Sequence, residues 1–79
     1  MRLDKFLKVS RLIKRRTIAN EACDAGRVTV NDKVARASYD VKVGDRIVIS
    51  FGSRTVGVEV ISLSESTKKE DAPLMYKVL

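Results

Sequence analysis

Residues 16–34 read RTIANEACDAGRVTVNDKV, and a change of periodicity inside this stretch decides the fold class. In its first half the apolar side chains recur at helical spacing, and Gly26 is placed to end a helix in the left-handed conformation. From Arg27 onward apolar and polar residues alternate with a period of two, until Asn31-Asp32 forms a typical tight turn. The stretch therefore predicts a helix that leads into a β-hairpin formed by residues 27–30 and 33–34.

This helix is predicted to begin around Arg16–Thr17, with Thr17 as its N-cap, and to end at Ala25. Its apolar positions hold small side chains, which would let the helix lie close to a sheet. Cys23 falls within the apolar stripe, and we interpret it as a small buried hydrophobic residue rather than a reactive thiol. The predicted apolar face consists of Ile18, Ala19, Ala22, Cys23 and Ala25.

A second amphipathic pattern lies upstream, over residues 2–10, and predicts a short first helix. A turn over residues 12–16 is expected to follow it and to tuck Leu12 and Ile13 inward. On the first helix, basic residues recur every three positions and form a ridge that a phosphate backbone could follow. The apolar face holds Leu3, Phe6, Leu7 and Ser10, and the basic face holds Arg2, Lys5, Lys8 and Arg11.

Further apolar alternations follow the hairpin, with Gly- and Asp-containing turns between them. A turn at Lys42–Asp45 precedes the predicted strand Arg46–Phe51. The turn at Gly52–Ser53 leads to a strand over Arg54–Leu63, and an exposed loop over Ser64–Pro73 leads to the last strand, Leu74–Leu79. The order of elements predicts a single α+β domain over residues 1–79, with two N-terminal helices packed on a small, mostly antiparallel sheet of about five strands.

The net charge of the chain is +6, and all of it arises in the first sixteen residues. That segment holds seven Lys and Arg residues and one acidic residue, Asp4, whereas residues 17–79 hold nine basic and nine acidic residues. Positive charge confined to one segment captures phosphates and steers encounters with a polyanion. We therefore predict a polyanion-binding surface on the first helix and the turn that follows it.

The composition argues against catalysis and against a metal or organic cofactor. The chain has no histidine and one cysteine, so it lacks the base of a catalytic triad and the roughly four ligands of a zinc site. It has no Gly-rich phosphate loop, no apolar run near the roughly 18–20 residues of a membrane span, and no recognisable signal peptide. A lone cysteine fits a reducing compartment. We predict a cytoplasmic binding protein that is not an enzyme.

Structured RNA is the polyanion that these residues favour. A helix-turn-helix reader of DNA is disfavoured because Glu21 and Asp24 on the second helix would repel a duplex backbone. A membrane surface is disfavoured because the bulky apolar residues are needed for the core. Asp4 is expected to orient an arginine rather than to contact the ligand. The predicted phosphate contacts are Arg2, Lys5, Lys8, Arg11, Lys14, Arg15 and Arg16, with Thr17 and Asn20 as polar contacts at the start of the second helix.

The residues that carry these predictions occur in a familiar combination. They are Arg2-Leu3-Asp4-Lys5-Phe6-Leu7, then Arg11, Lys14 and Arg16, then Ala25-Gly26-Arg27-Val28-Thr29-Val30-Asn31 and Val43-Gly44-Asp45. Together they resemble the RNA-binding domain named after ribosomal protein S4. The resemblance covers about residues 2–50 and leaves 51–79 as a C-terminal strand extension. It implies two helices on a small curved sheet, with RNA held by the helices and the basic turn between them.

Within that family the chain is similar to short stand-alone proteins of ribosome-associated quality control, and more distantly to the heat-shock-protein-15 group. The resemblance implies binding to a large ribosomal subunit that carries an obstructed peptidyl-tRNA, with contacts to rRNA and tRNA together. It also implies a partner on the same subunit, a factor that adds an alanine tail to the stalled chain without mRNA. We expect a ribosome-associated monomer.

Two alternatives stay open. One is a factor of large-subunit assembly or a generic tRNA- or rRNA-binding protein, which only the resemblance separates from quality control. The other is a carrier or protein-interaction module, because small β-rich domains of this length include ubiquitin-like sulfur carriers. Such carriers need a C-terminal Gly-Gly, whereas this chain ends with Tyr76-Lys77-Val78-Leu79.

Overall fold

The computed structural model describes residues 1–64 and 72–79, and within them it has the predicted order of helices followed by strands. The elements are α1 (Leu3–Val9), α2 (Arg16–Asp24), β1 (Val28–Val30), β2 (Lys33–Val34), β3 (Arg46–Phe51), β4 (Arg54–Val60), a 3₁₀-helix (Ala72–Met75) and β5 (Tyr76–Val78). The strands form one sheet in the order β2-β1-β3-β4-β5, and every neighbouring pair is antiparallel. The predicted α+β class is confirmed.

The core lies between the two helices and one face of the sheet. Alternate residues of a strand point to the same face, and the register pairs Ile47 of β3 with Val30 of β1 and with Val58 of β4. The helices cover this face with their apolar stripes. The buried core comprises Leu3, Phe6 and Leu7 from α1, Ala19 and Cys23 from α2, and Val28, Val30, Ile47, Ile49, Val58 and Val60 from the strands.

The turn between β1 and β2 is a two-residue loop in which Asn31 and Asp32 both have positive φ, 52° and 69°. Two successive left-handed residues are characteristic of a type I′ turn, whose twist matches that of the flanking strands. Asparagine and aspartate tolerate this conformation better than other residues with a Cβ. The predicted turn is confirmed, and it sets the register in which Val30 pairs with Lys33.

Asp45 joins this turn to the loop before β3. Its buried carboxylate accepts hydrogen bonds from the Asn31 amide (3.0 Å), the Tyr39 hydroxyl (3.0 Å) and the Lys42 backbone N–H (2.9 Å). Burial by itself raises the pKa of Asp45, but these hydrogen bonds and the Lys42 charge outweigh it and lower the pKa below its ordinary value. The predicted turn at Lys42–Asp45 is therefore anchored to the hairpin by a buried carboxylate.

The chain leaves α1 through a left-handed residue, Arg11, whose φ is 63°. The Ser10 hydroxyl donates to the Leu7 carbonyl (3.3 Å), and the Ile13 backbone N–H donates to the same carbonyl (3.0 Å). These bonds satisfy an acceptor at the helix end and return Ile13 to the core. The prediction that Leu12 and Ile13 tuck inward is confirmed, with Leu12 half-buried against the core.

The start of α2 corrects the predicted cap. The helix begins at Arg16, so Thr17 lies inside the first turn and is not the N-cap. The N-cap is Arg15, which has extended backbone geometry and whose side chain makes no capping hydrogen bond. Arg16 is the first helical residue because the Ala19 backbone N–H donates to the Arg15 carbonyl (3.0 Å), which closes the first turn on Arg15. The Arg16 guanidinium is bound to Asp4 of α1. Gly26 has a φ of 74° just past the helix end, as predicted.

The buried stripe of α2 is narrower than predicted. Ala19 and Cys23 are buried and Ala22 is half-buried, but Ile18 is 48% exposed and Ala25 is also exposed. The two buried residues lie four positions apart, one helical turn, and a nine-residue helix that packs against α1 and β1 covers little more. The prediction that Ile18 and Ala25 face the core was wrong.

The C-terminal strands are shorter than predicted. β4 ends at Val60 rather than Leu63, because the backbone N–H groups of Ile61 and Ser62 both donate to the Met75 carbonyl and so interrupt the ladder.

The last strand begins at Tyr76, because Leu74 belongs to the preceding 3₁₀-helix. Of the loop predicted over Ser64–Pro73, residues 65–71 lie outside the described residues, and Ala72 is buried rather than exposed.

Candidate nucleic-acid interface

The carboxylate of Asp4 organises basic residues from both helices. Asp4 lies in the first turn of α1 and is only 2% exposed. Its Oδ1 lies 3.1 Å from Arg2 Nε, its Oδ2 lies 3.4 Å from Arg16 Nε, and Oδ2 also accepts a hydrogen bond from the Asn20 amide at 3.3 Å. We refer to these four residues as the Asp4 cluster. One buried carboxylate thus joins the residue before α1 to two residues of α2.

The Asp4 side chain stays ionised although it is buried. Burial by itself raises the pKa of Asp4, but hydrogen bonds from Arg2, Asn20, Arg16 and the Lys5 backbone N–H outweigh it and lower the pKa below the ordinary value. A carboxylate that accepts several hydrogen bonds from cationic and amide donors is stabilised in its charged form. At neutral pH the cluster therefore contains one anion between two guanidinium groups.

The position of Asp4 is fixed by the loop that precedes β3. The Leu3 backbone N–H donates to the Tyr39 carbonyl (2.8 Å), and the Asp4 backbone N–H donates to the Ala37 carbonyl (3.1 Å). These groups are among the first N–H groups of α1, which have no acceptor within the helix. Because the loop satisfies them, the start of α1 and its carboxylate are held against the rest of the fold.

The two arginines of the Asp4 cluster keep part of their surface free for a ligand. The side chains of Arg2 and Arg16 are 50% and 48% exposed, although each guanidinium contacts a carboxylate that is almost completely buried. Asp4 accepts from one edge of each guanidinium, and an arginine carries five N–H donors in all. The expectation that Asp4 orients an arginine is confirmed, and the structure extends it to two.

The basic turn and α2 provide a further concentration of donors. Lys14, Arg15 and Arg16 are exposed where α2 begins, and no acidic residue occupies the first helical turn. Because the Arg15 side chain does not cap the helix, the first backbone N–H groups of α2 have no side-chain acceptor from the N-cap. The positive end of the helix dipole and these N–H groups favour an anion at this point.

The remaining predicted contact residues occupy different parts of the surface. Thr17 lines a recess of about 400 Å³ together with Asp4, Arg16, Asn20 and Glu21, so it lies beside the Asp4 cluster.

Lys8 and Arg11 are exposed on α1 and at its C-terminal end, Lys5 is half-buried, and Lys14 and Arg15 are exposed on the turn. The structure thus brings Arg2, Arg16, Thr17 and Asn20 together around Asp4 and leaves the other five along α1 and the basic turn.

One basic residue near this surface was missed from the sequence. Arg36 and Ser38, on the loop after β2, line a cleft of about 460 Å³ together with Arg2, Asn20 and Asp24. Arg36 lies outside the positively charged N-terminal segment, in a part of the chain where basic and acidic residues cancel. Only the fold brings it beside Arg2, so the charge pattern of the sequence held no signal for it.

Cys23 is buried beneath the interface. Burial, followed by the charges of Asp4 and Asp24, raises the pKa of the Cys23 thiol to about 11. Its interpretation as a buried hydrophobic residue is confirmed. Across residues 1–64 and 72–79 no group of three or more His, Cys, Asp or Glu side chains is arranged to hold a metal ion. In the same part of the chain no helix has the length and apolar character needed to cross a bilayer.

Comparison with known families identifies the family to which this fold belongs. Residues 1–47 match the S4 domain family, a span that contains α1, the basic turn, α2, the β1–β2 hairpin and the start of β3. The chain belongs to the S4 domain family.

Individual relatives match the chain over almost its whole length. The chain is 58% identical over 78 residues to the RQC P-site tRNA stabilizing factor of Halalkalibacterium halodurans, covering 99% of this chain and 89% of the relative. It is 57% identical over 79 residues to the protein of the same name from Bacillus subtilis strain 168, covering 100% and 92%. These matches confirm the predicted relationship to the short quality-control proteins.

A solved structure shares the complete fold. The heat shock protein 15 of Vibrio cholerae, described as trimeric, superposes with a TM-score of 0.93 at 26% identity. The superposition covers 100% of this chain and 81% of the other. The predicted, more distant kinship with the heat-shock-protein-15 group is confirmed, and our expectation of a monomer remains a prediction.

Proposed function

We propose that this protein is a non-enzymatic RNA-binding factor of ribosome-associated quality control. It binds the large ribosomal subunit when that subunit carries an obstructed peptidyl-tRNA, contacts rRNA and tRNA together, and holds the tRNA in place. A partner factor on the same subunit then extends the stalled chain with alanine residues without mRNA. The protein acts in the cytoplasm as a monomer bound to the ribosome.

The Asp4 cluster is the observation that carries this proposal. A buried, ionised carboxylate aligns Arg2 and Arg16 from two different segments, with about half of each side chain open to solvent. Arginine side chains that are fixed in this way lose little further conformational freedom when they bind a phosphate. An arrangement whose only purpose was solubility would need neither the buried carboxylate nor the convergence of two arginines.

The remaining basic residues extend the contact along the RNA backbone. Lys5, Lys8 and Arg11 follow α1, and Lys14 and Arg15 continue the positive surface to the start of α2. There the helix dipole adds to their charge. Structured RNA is recognised largely through its shape and its phosphate and ribose oxygens. In this proposal Thr17 and Asn20 supply the neutral polar contacts beside Arg16.

The names of the relatives support the choice of quality control over other RNA-binding roles. Both full-length relatives described above are named as factors that stabilize a tRNA in the P site. A protein that stabilizes a tRNA on a ribosome meets two RNA surfaces at their junction. The basic residues of α1, the basic turn and the start of α2 could be divided between the two RNAs.

The proposal is tested by binding to purified large ribosomal subunits prepared with and without peptidyl-tRNA. A larger fraction of the tagged protein should pellet with tRNA-carrying subunits than with empty ones. Arg2→Ala and Arg16→Ala should each weaken this binding by about tenfold, since a hydrogen bond to a charged group contributes roughly 1.5–3 kcal/mol. Arg54→Ala is the matched control, because Arg54 is exposed at the start of β4, outside the interface.

The alternatives predict other results in a lysate gradient with the bound RNA sequenced. Recovery with free tRNA or with assembly intermediates would favour the generic RNA-binding or assembly role. Recovery without RNA would show that the basic surface serves a protein partner, as the carrier or interaction module requires. Equal affinity for subunits with and without tRNA would contradict the quality-control role while leaving RNA binding intact.

A further inference from the structure

The cleft beside Arg36 extends the interface beyond the basic segment. It lies between α2 and the loop after β2 and has a volume of about 460 Å³. Its polar lining residues are Arg2, Asn20, Asp24, Arg36 and Ser38, and the rest of its lining is Cys23, Gly26, Val34, Ala35 and Ala37. Pockets that hold small molecules typically measure about 300–1,000 Å³. The cleft is therefore large enough for one nucleotide.

The polar groups of the cleft have a mixed charge that suits a nucleotide rather than a row of phosphates. Arg2 and Arg36 are cations, Asn20 offers an amide donor and acceptor, and Asp24 is an acceptor that would repel a phosphate placed beside it. Unpaired RNA bases are held in this manner, by stacking on guanidinium planes and by hydrogen bonds to their edges, while their phosphate meets a cation.

Neighbouring recesses make this cleft part of a longer track. Asn20 also lines the recess that holds Arg16 and Thr17, so the cleft continues directly into the Asp4 cluster. On its other side, Arg36 and Ser38 also line a groove of about 540 Å³ that contains Lys33 and Tyr39. A chain of nucleotides that leaves the basic turn would therefore meet Arg36 and Ser38 and then, near the β1–β2 hairpin, Lys33 and Tyr39 beside the apolar residues Val30, Val34 and Ala35.

We propose that this cleft binds a single unpaired nucleotide of the RNA held by the Asp4 cluster. The nucleotide's phosphate lies between Arg2 and Arg36, and its base edge meets Asn20 and Asp24. Arg2 has two roles here, because its guanidinium is bound to Asp4 and also lines the cleft. The proposal rests on the proposed RNA-binding function and adds the kind of nucleotide that is recognised and a contact residue, Arg36.

The first test compares Arg36→Gln with Arg54→Gln in binding to purified large ribosomal subunits that carry peptidyl-tRNA. Both arginines are exposed, and glutamine removes the charge while keeping a long polar side chain. Arg36→Gln should weaken binding by about tenfold, as the loss of one specific contact does, and Arg54→Gln should not. Arg36→Lys should recover part of the affinity, because it restores the charge without the planar guanidinium. Thermal unfolding of each variant establishes that the fold is intact.

The second test identifies the nucleotide directly. A photoreactive benzophenone is attached to Ser38→Cys in the cleft and, as the control, to Ser50→Cys at an exposed position of β3; buried Cys23 resists labelling. Cross-links from position 38 should map to an unpaired nucleotide of rRNA or tRNA, and position 50 should give none at that site. Unchanged affinity of Arg36→Gln, or cross-links from position 38 only to paired nucleotides or to ribosomal protein, would overturn the inference.

The two proposals fail in different ways. If the unmodified protein binds tRNA-carrying subunits and Arg16→Ala weakens that binding while Arg36→Gln does not, the proposed function stands and the nucleotide cleft is refuted. If the unmodified protein does not bind these subunits at all, the proposed function fails and the inference that rests on it fails too.

Discussion

Asp4 and Arg16 lie twelve positions apart in the chain, and their side chains meet with 3.4 Å between Asp4 Oδ2 and Arg16 Nε. Asp4 is in the first turn of α1, and Arg16 is the first residue of α2. This ion pair ties the two helices together at the point where the positive charge is concentrated. The same contact therefore serves the packing of α1 against α2 and the orientation of a side chain that is available to a phosphate.

Replacing Asp4 by asparagine tests whether RNA binding depends on the net charge of the chain or on the alignment of Arg2 and Arg16. Asp4→Asn adds one positive charge to the chain, so long-range electrostatics alone would strengthen RNA binding. We expect weaker binding, because Arg2 and Arg16 lose the carboxylate that aligns them. The free energy of unfolding should fall by about 1–3 kcal/mol, as is usual when a buried hydrogen-bonding charge is removed. Urea unfolding and subunit-binding assays on the same preparation measure both effects. Tighter binding would show that Asp4 does not orient the arginines.

The salt dependence of RNA binding measures the number of phosphate contacts. If about five phosphates are neutralised, affinity should fall by roughly 10²–10³ between 50 and 200 mM salt. Arg16→Ala should reduce the slope of log affinity against log salt concentration by about one phosphate contact. It should change the melting temperature only slightly, because Arg2, Asn20 and the Lys5 backbone N–H still hold Asp4. Titrations at several salt concentrations give the slopes. A slope near zero would contradict an electrostatic interface, and a large loss of stability would make Arg16 chiefly structural.

Arg11→Gly should increase the stability of the fold and weaken RNA binding. Arg11 has a φ of 63°, which costs a residue with a Cβ about 1–2 kcal/mol, whereas glycine adopts it freely. The greater freedom of glycine in the unfolded chain offsets part of this gain, so we expect a net stabilisation of about 0.5 kcal/mol. RNA affinity should fall, because a predicted phosphate contact is lost. Arg11→Ala is the control, since it removes the charge and keeps the Cβ. Equal stabilities of the glycine and alanine variants would show that the backbone at this position is not strained.

Acid should destabilise the fold partly through Asp45. Its pKa is lower in the folded protein than the ordinary value of 3.8, so the unfolded state binds the proton more tightly. The stability that this provides is fully present above pH 3.8 and is lost as the pH falls through the lower, folded-state pKa. The stability difference between the wild type and Asp45→Asn should therefore shrink below that pH. Tyr39→Phe, which removes one hydrogen-bond donor, should show a smaller change of the same sign. Urea midpoints measured from about pH 6 to about pH 3 test this, and a difference that does not vary with pH would contradict it.

The Cys23 thiol should report on unfolding. Its pKa is raised to about 11 from an ordinary 9.0, so at neutral pH its thiolate population is roughly a hundredfold lower than in the unfolded chain. Burial slows access of a reagent further. Alkylation by iodoacetamide should therefore be at least a hundredfold slower in the native protein than in urea. Comparable rates in the two states would show that the helix α2 side of the core is open.

Much of the fold is visible in the local sequence. The change of period at Arg27, the Asn31-Asp32 turn and Gly26 are each set by local preferences for backbone geometry, and the structure confirms all three. The predictions that failed concern positions where tertiary contacts compete with local preference. Thr17 is a good N-cap residue by type, but the N-cap lies two residues earlier, at Arg15, whose carbonyl accepts the Ala19 backbone N–H, and Asp4 holds Arg16 against α1. β4 stops at Val60 because a carbonyl of Met75, distant in sequence, captures the next backbone N–H groups.

The sequence by itself determined that the charge of this protein is gathered in one N-terminal segment, that two helices precede a sheet, and which basic residues are candidates for RNA. Those properties depend on residue type and spacing, which act over a few positions along the chain. Only the tertiary structure decided that the buried carboxylate of Asp4 also aligns Arg16 of the second helix, and that Arg36 faces the same cleft as Arg2. Contacts between side chains twelve or more positions apart depend on how the helices and the loop after β2 pack around the core, and no local pattern encodes that packing.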